Sequence, residues 1–131
     1  MLFAFILAAL STSTTVIAAS PLSKRYTLRC NGNSLPTRTQ QSAISAVANM
    51  GGSLSIEGND SYHLQKVCDD ACVFVTLRSE DEKFYRAPAM AVADGLRDIL
   101  GACGESGGST GVVGDLGGVA GLVVHMTDHW V

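Results

Sequence analysis

Residues 88–103 have the sequence PAMAVADGLRDILGAC, which contains the longest helical pattern of the chain. Proline is favoured in the first turn of a helix, because the N–H group that it lacks would have no partner there. Behind Pro88, apolar residues recur at helical spacing and form one continuous stripe. The stripe consists of Ala89, Val92, Ala93, Leu96, Ile99, Leu100 and Cys103. The sequence therefore predicts a helix whose apolar side packs on a sheet.

A second helix is predicted from Thr37 to Asn49, before the Gly51-Gly52 pair that ends it. Thr37 and Gln40 have the spacing of a capping box, in which two side chains bond the backbone of the first turn. Helical spacing places four residues on one face, namely Gln40, Ile44, Val47 and Ala48. This helix also needs a surface to pack on.

Five short stretches have the composition of strands. They span residues 26–30, 53–57, 62–67, 72–78 and 121–127. The third and fourth are separated only by CDDAC, residues 68–72, and predict a hairpin. The Gly/Ser-rich segment from Gly101 to Gly121 predicts a flexible loop. Together with the helices, these strands predict an α+β fold of split βαβ type: a two-layer sandwich with two helices on one face of a mainly antiparallel sheet.

The N-terminal residues have the organisation of a secretory leader. An apolar run followed by small residues predicts a signal peptide over residues 1–19. The basic pair Lys24-Arg25 predicts cleavage by a kexin-like protease. Residues 20–25 would then be a short propeptide, and Tyr26 would begin a single extracellular domain, 26–131. A buried N-terminal helix and an uncleaved basic pair are the alternatives.

Charge narrows the range of partners. The chain has 9 basic and 12 acidic side chains and a net charge of −3, and removal of Lys24 and Arg25 makes the net charge more negative by two. A nucleic-acid ligand requires a basic surface and is therefore not expected. No second apolar run reaches the length of a membrane span, so no stable membrane insertion is expected. We expect a monomer without a cofactor.

The four cysteines, Cys30, Cys68, Cys72 and Cys103, lie in the predicted secreted part. An even count in a small extracellular domain predicts disulfides, and three connectivities are open. A zinc site is the alternative, because Cys68 and Cys72 have a permitted ligand spacing. No second close pair completes such a site.

Two patterns concern an enzyme or a metal site. Gly104–Gly108 has the sequence GESGG, and Asp115 and His125 follow in the Ser–Asp–His order of α/β-hydrolases. That motif requires a strand-to-helix turn, whereas here it follows a helix, so a small secreted hydrolase that uses Ser106 is the alternative function. His125 and His129 would share one face of an extended strand. No third ligand is visible, and no metal site is expected.

Polar residues in the predicted turns point to surface positions. Asn59-Asp60-Ser61 is an acceptor sequence for N-glycosylation, so Asn59 is a candidate glycosylation site. Turn-like sequence without an apolar pocket contains five carboxylates, those of Asp69, Asp70, Glu80, Asp81 and Glu82. We expect them to be solvated and not to act as a catalytic pair.

Four local motifs resemble the killer protein 4 family of small secreted fungal toxins, which has relatives in fungi and plants. They are YTLRCNGNS at residues 26–34, QKVCDDACVFV at 65–75, LRDILGACGES at 96–106 and GLVVHMT at 121–127. The resemblance extends over nearly all of the predicted secreted part. It implies an α/β sandwich with a split βαβ core.

The resemblance also implies a function. Toxicity in that family is attributed to interference with calcium uptake through channels, and a basic residue before a Val-Cys pair is implicated. By position this residue is Lys66. The expected function is that of a secreted killer-toxin-like protein or effector that binds a protein target on a cell surface or membrane. A non-toxic cell-surface protein of the same fold is a further alternative.

The chain departs from the family in having few cysteines and an acidic net charge. The family's Val-Cys cysteine pairs with a cysteine beyond the last strand, where this chain has none, so Cys72 is the nearest replacement partner for Cys68. Cys30 ends the first predicted strand and Cys103 ends the helix that packs on it. We therefore predict the bridges Cys30–Cys103 and Cys68–Cys72.

Overall fold

The computed structural model describes residues 28–58, 60–81, 83–112 and 121–131. Within these ranges the elements are, in chain order, β1 (Arg29–Cys30), α1 (Thr37–Ala48), β2 (Ser53–Ile56), β3 (Ser61–Cys68), β4 (Cys72–Ser79), β5 (Tyr85–Pro88), α2 (Ala89–Cys103), a 3₁₀ turn (Gly104–Ser106), β6 (Gly108–Gly111) and β7 (Leu122–Thr127). The predicted leader and propeptide, Lys24, Arg25, Asn59 and Asp115 lie outside the described residues. The expectations for them stay predictions.

The strands form two antiparallel sheets. The main sheet has the order β1-β6-β7-β4-β3, and β2 pairs with β5 in a separate two-stranded sheet. β4 and β6 run parallel to each other, because each is antiparallel to β7 between them. The chain passes through α2 on its way from β4 to β6. This is a split βαβ arrangement, so the predicted α+β fold class is confirmed.

Both helices pack on one face of the main sheet and against each other. The predicted stripe of α2 is buried except for Leu100 and Cys103, which are half-buried, and Leu96 and Ile99 are fully inaccessible. Burial of each of these side chains contributes roughly 1.5–3 kcal/mol. Gly95 keeps the helix close to the sheet, because a Cβ there would lie 3.2 Å from Val124 Cγ1 and 3.4 Å from Thr110 Cγ2.

The strands of the main sheet alternate between the helix-covered core and the opposite face, which we call the outer face. Six side chains of β4 and β7 are fully buried against the helices, namely Val73, Val75, Leu77, Leu122, Val124 and Met126. The residues between them therefore point to the outer face. This alternation determines which polar side chains the outer face presents.

The prediction of a flexible loop from Gly101 to Gly121 is wrong for residues 101–111. α2 continues to Cys103, and Gly108–Gly111 form β6 inside the main sheet, between β1 and β7. β6 has no apolar alternation, and it fits because it is small: a Cβ on Gly108 would overlap the carbonyl oxygen of Arg29. Residues 113–120 lie outside the described residues.

Strand β5 was not predicted from the sequence. It pairs with β2 along its whole length.

The segment before α1 and the end of α2 meet in a structure that we call the junction, residues 30–35 and 103–107. The Cys30–Cys103 bridge joins them, with 5.4 Å between the Cα atoms. Beside the bridge, the amides of Asn31, Asn33 and Leu35 donate to the carbonyl oxygens of Gly107, Ser106 and Glu105 at 3.0, 2.9 and 2.7 Å. The junction therefore combines a covalent bond with a short backbone ladder.

Gln40 ties α1 to the junction. Its side chain is fully buried, and Nε2 donates to the carbonyl oxygens of Leu35 at 2.9 Å and Gly104 at 3.0 Å. The predicted capping box is wrong, because α1 follows Pro36 without a side-chain cap. Removal of a buried partner leaves unsatisfied polar groups and costs about 1–3 kcal/mol for each group. Gln40 is thus a polar link between the two helices.

Both predicted disulfides are present. Cys68–Cys72 closes the β3–β4 hairpin at its last residue pair, with 4.0 Å between the Cα atoms. Cys30–Cys103 joins residues 73 positions apart. The described part of the chain contains no free cysteine.

We expect the two bridges to contribute unequally to stability. The loop-closure entropy of the unfolded chain grows with the logarithm of the loop length. Replacing both cysteines of the long bridge, Cys30→Ser with Cys103→Ser, should lower the free energy of unfolding by about 4 kcal/mol. Cys68→Ser with Cys72→Ser should lower it by about 2 kcal/mol. Urea unfolding measures both, and a larger loss for the hairpin bridge would contradict this ranking.

Candidate target-binding surface

Lys66 lies on the outer face of β3, two residues before the Cys68–Cys72 bridge, and is exposed. Its partner across the hairpin is Phe74 in β4. The Nζ atom of Lys66 lies 5.3 Å from the centroid of the Phe74 ring, within the range of a cation–π contact. The sheet, the aromatic ring and the disulfide therefore brace the position of this ammonium group.

Phe74 belongs to an aromatic cluster with His63 and Trp130. The rings of His63 and Trp130 are stacked, with centroids 4.2 Å apart and an interplanar angle of 12°. Phe74 meets Trp130 edge-on, at 4.9 Å and 76°. Lys66 thus lies at the border of a packed, partly exposed aromatic surface.

The C-terminal residues 128–131, which we call the tail, bring Trp130 to this cluster. The Thr127 hydroxyl donates to the carbonyl oxygen of His129 at 2.5 Å, and the amide of Val131 donates to the Thr76 hydroxyl at 3.4 Å. These bonds hold the tail against the outer face. Sequence reasoning missed Trp130, although its being the only tryptophan of the chain was a usable signal.

His125 lies half-buried at the centre of the outer face, between Thr76 in β4 and Ser109 in β6. Its Nε2 atom is buried without a hydrogen-bond partner among the described residues. Burial lowers the pKa of His125 below its ordinary value of 6.5, and the guanidinium of Arg78 lowers it further, whereas the carboxylate of Glu80 opposes the shift. The neutral imidazole is therefore the favoured form at neutral pH.

The GESGG stretch follows α2 and contributes to the junction. Ser106 ends the 3₁₀ turn that follows α2, and its carbonyl oxygen accepts the amide of Asn33 in the junction. The stretch thus lies at a helix-to-strand turn, whereas the hydrolase motif requires a strand-to-helix turn. Of its predicted partners, His125 lies in β7 and Asp115 is outside the described residues.

A shared strand face for His125 and His129 would require an extended chain through both residues. β7 ends at Thr127, before His129. The exposed His129 instead contacts its neighbour Asp128, with Nδ1 2.7 Å from Oδ1. Within the described ranges, no group of three or more metal-ligating side chains comes together.

Comparison of the chain with family models, with curated proteins and with solved structures found no match. Neither α1 nor α2, the two α-helices of the described part, is long and apolar enough to cross a membrane.

Replacing His125 should make the stability of the protein less sensitive to acid. The unfolded chain takes up a proton at this histidine near pH 6.5, whereas the folded protein, whose pKa is lower, resists protonation. Stability should therefore fall as the pH drops below about 6.5 and level off below the lowered pKa. His125→Gln should lose less stability than the wild type between about pH 7.5 and pH 5.

Urea unfolding at both pH values measures this difference. His129→Gln is the matched control, because His129 is exposed, and it should retain the acid sensitivity of the wild type. If His125→Gln and the wild type lose the same free energy of unfolding between the two pH values, His125 is not the source of the acid sensitivity.

Proposed function

We propose that the protein is a secreted killer-toxin-like protein or effector. It acts by binding a protein on the surface or in the membrane of a target cell, and a calcium channel is the candidate target. The observation that carries the proposal is the braced position of Lys66, between the Phe74 ring and the Cys68–Cys72 bridge. The motif resemblance supports it, since Lys66 matches the basic residue that is implicated in the family.

Rigid support is a physical requirement of this mode of action. Insertion of an ammonium group into a narrow polar opening orders a long side chain, which costs free energy on binding. Packing against Phe74 reduces that cost before the target is met. Cation-selective pores present carboxylates or carbonyl oxygens, with which an ammonium group pairs.

The acidic net charge limits how the target is recognised. Asp69 and Asp70 are exposed at the hairpin tip, close to Lys66 in sequence. Long-range attraction to a carboxylate-lined target is therefore weak. Binding must come from short-range contacts of Lys66 and the aromatic cluster, so we expect a contact surface and not electrostatic steering to determine specificity.

Charge reversal at Lys66 should abolish the biological effect. Lys66→Glu should leave growth and calcium uptake of treated fungal or plant cells unchanged, at concentrations where the wild type inhibits them. The substitution is exposed and should change the free energy of unfolding by less than about 0.5 kcal/mol. Calcium uptake measured over a dose series checks the expectation.

Two variants serve as controls. Lys83→Glu makes the same charge change at an exposed position between β4 and β5 and should keep full activity. Ser106→Ala removes the nucleophile of the hydrolase alternative and should also keep it. A Lys66→Glu protein with an unaltered dose response would refute the role of Lys66, and loss of activity in Ser106→Ala would favour the hydrolase.

A further inference from the structure

A row of polar side chains crosses the main sheet. The strand registers place His63 opposite Thr76, Thr76 opposite His125, His125 opposite Ser109, and Ser109 opposite Arg29. All five strands contribute one residue each. Because neighbouring strands lie about 4.8 Å apart, the row is roughly 19 Å long.

The row lies on the outer face along its whole length. At the β1 end, Cys30 points toward α2, to which it is bridged, so its neighbour Arg29 points the other way. In β6, Thr110 approaches α2 at Gly95, so Ser109 also points outward. The row and the helices are therefore on opposite sides of the sheet.

The outer-face strand positions around this row carry no carboxylate, although Glu80, which follows β4, brings its carboxylate to Arg78 and acts on His125. The positions on either side of the row are Ser61, Arg78, Val123, Gly111, Lys66, Phe74 and Thr127. Arg78 is paired with Glu80, with Nε 3.0 Å from Oε1. Arg29 is exposed and has no carboxylate partner among the described residues. Among the described residues, no carboxylate therefore neutralises the guanidinium of Arg29.

The tail covers only one end of the row. It places Val131 on Thr76 and Trp130 on His63. The remaining members, His125, Ser109 and Arg29, are half-buried or exposed. Trp130 lies at the covered end of the row, against His63 and Phe74, and keeps 36% of its surface accessible.

We propose that the open part of the row binds the carboxylate groups of an acidic polysaccharide. A guanidinium forms two parallel hydrogen bonds with a carboxylate, a geometry that Arg29 is able to provide. The half-buried hydroxyl of Ser109 offers a further hydrogen bond. The exposed indole favours a sugar over an acidic peptide, because the C–H face of a sugar ring packs on an aromatic ring. This inference is independent of the target of Lys66.

The test measures binding of the intact protein to three polymers by titration calorimetry. Polygalacturonate carries both sugar rings and carboxylates, its fully methyl-esterified form keeps the rings without the charge, and poly-L-glutamate keeps the charge without the rings. We expect binding to polygalacturonate alone, weakened by salt. Trp130, the only tryptophan, should report the same binding through its fluorescence.

Substitutions locate the site. Arg29→Ala should raise the Kd for polygalacturonate about tenfold, and Ser109→Ala about threefold, as expected for a charged and a neutral hydrogen bond. Arg38→Ala is the matched control, because Arg38 is exposed on α1, in the opposite layer, and it should bind as the wild type does. Circular dichroism establishes that each variant is folded. If Arg29→Ala does not fold, Ser109→Ala still tests the site.

Four results would overturn the inference. Absence of binding to polygalacturonate would show that an acidic polysaccharide is not the ligand. Equal affinity for the methyl ester would show that the carboxylates are not used, and equal affinity for poly-L-glutamate would point to an acidic protein partner. Unchanged affinity in both Arg29→Ala and Ser109→Ala would place binding elsewhere. Lys66→Glu should still bind polygalacturonate, so failure of the toxin proposal leaves this inference standing.

Discussion

The junction between residues 30–35 and the end of α2 is the constraint on which the two-layer structure depends. β1 has only two residues and no buried side chain, so it cannot hold its place by packing. The Cys30–Cys103 bridge and the three backbone bonds beside it attach this edge to the helix layer. Gln40 extends the attachment to α1.

Both proposed binding regions are consequences of such local attachments. The junction determines the register of β1 on β6 and thereby aligns Arg29 with Ser109. At the other side of the sheet, the Cys68–Cys72 bridge fixes the hairpin that carries Lys66. The tail, with Trp130, lies between the two regions. One disulfide therefore supports each half of the outer face.

The sequence was informative where the side chains repeat with a regular period. The stripe of α2 and the β3–β4 hairpin could be predicted because burial selects apolar residues at defined spacings. β6 could not, because its sequence GSTG is selected by close backbone approach and not by apolar contact. Gln40 was predicted on the correct helix face, but its long-range bonds to the junction have no local signature. Lys66 was predicted by resemblance, whereas the row through Arg29 and His125 required the strand registers.

Amide hydrogen exchange shows whether the junction stays closed until the whole domain unfolds. If the junction holds the layers together, the amides of Asn31, Asn33 and Leu35 open only when the whole domain unfolds. They should then exchange as slowly as the amides of β4, an interior strand of the main sheet, although they lie in a segment without regular secondary structure. Exchange at the rate of unbonded surface amides, while β4 stays protected, would show that the junction opens on its own and would contradict the account.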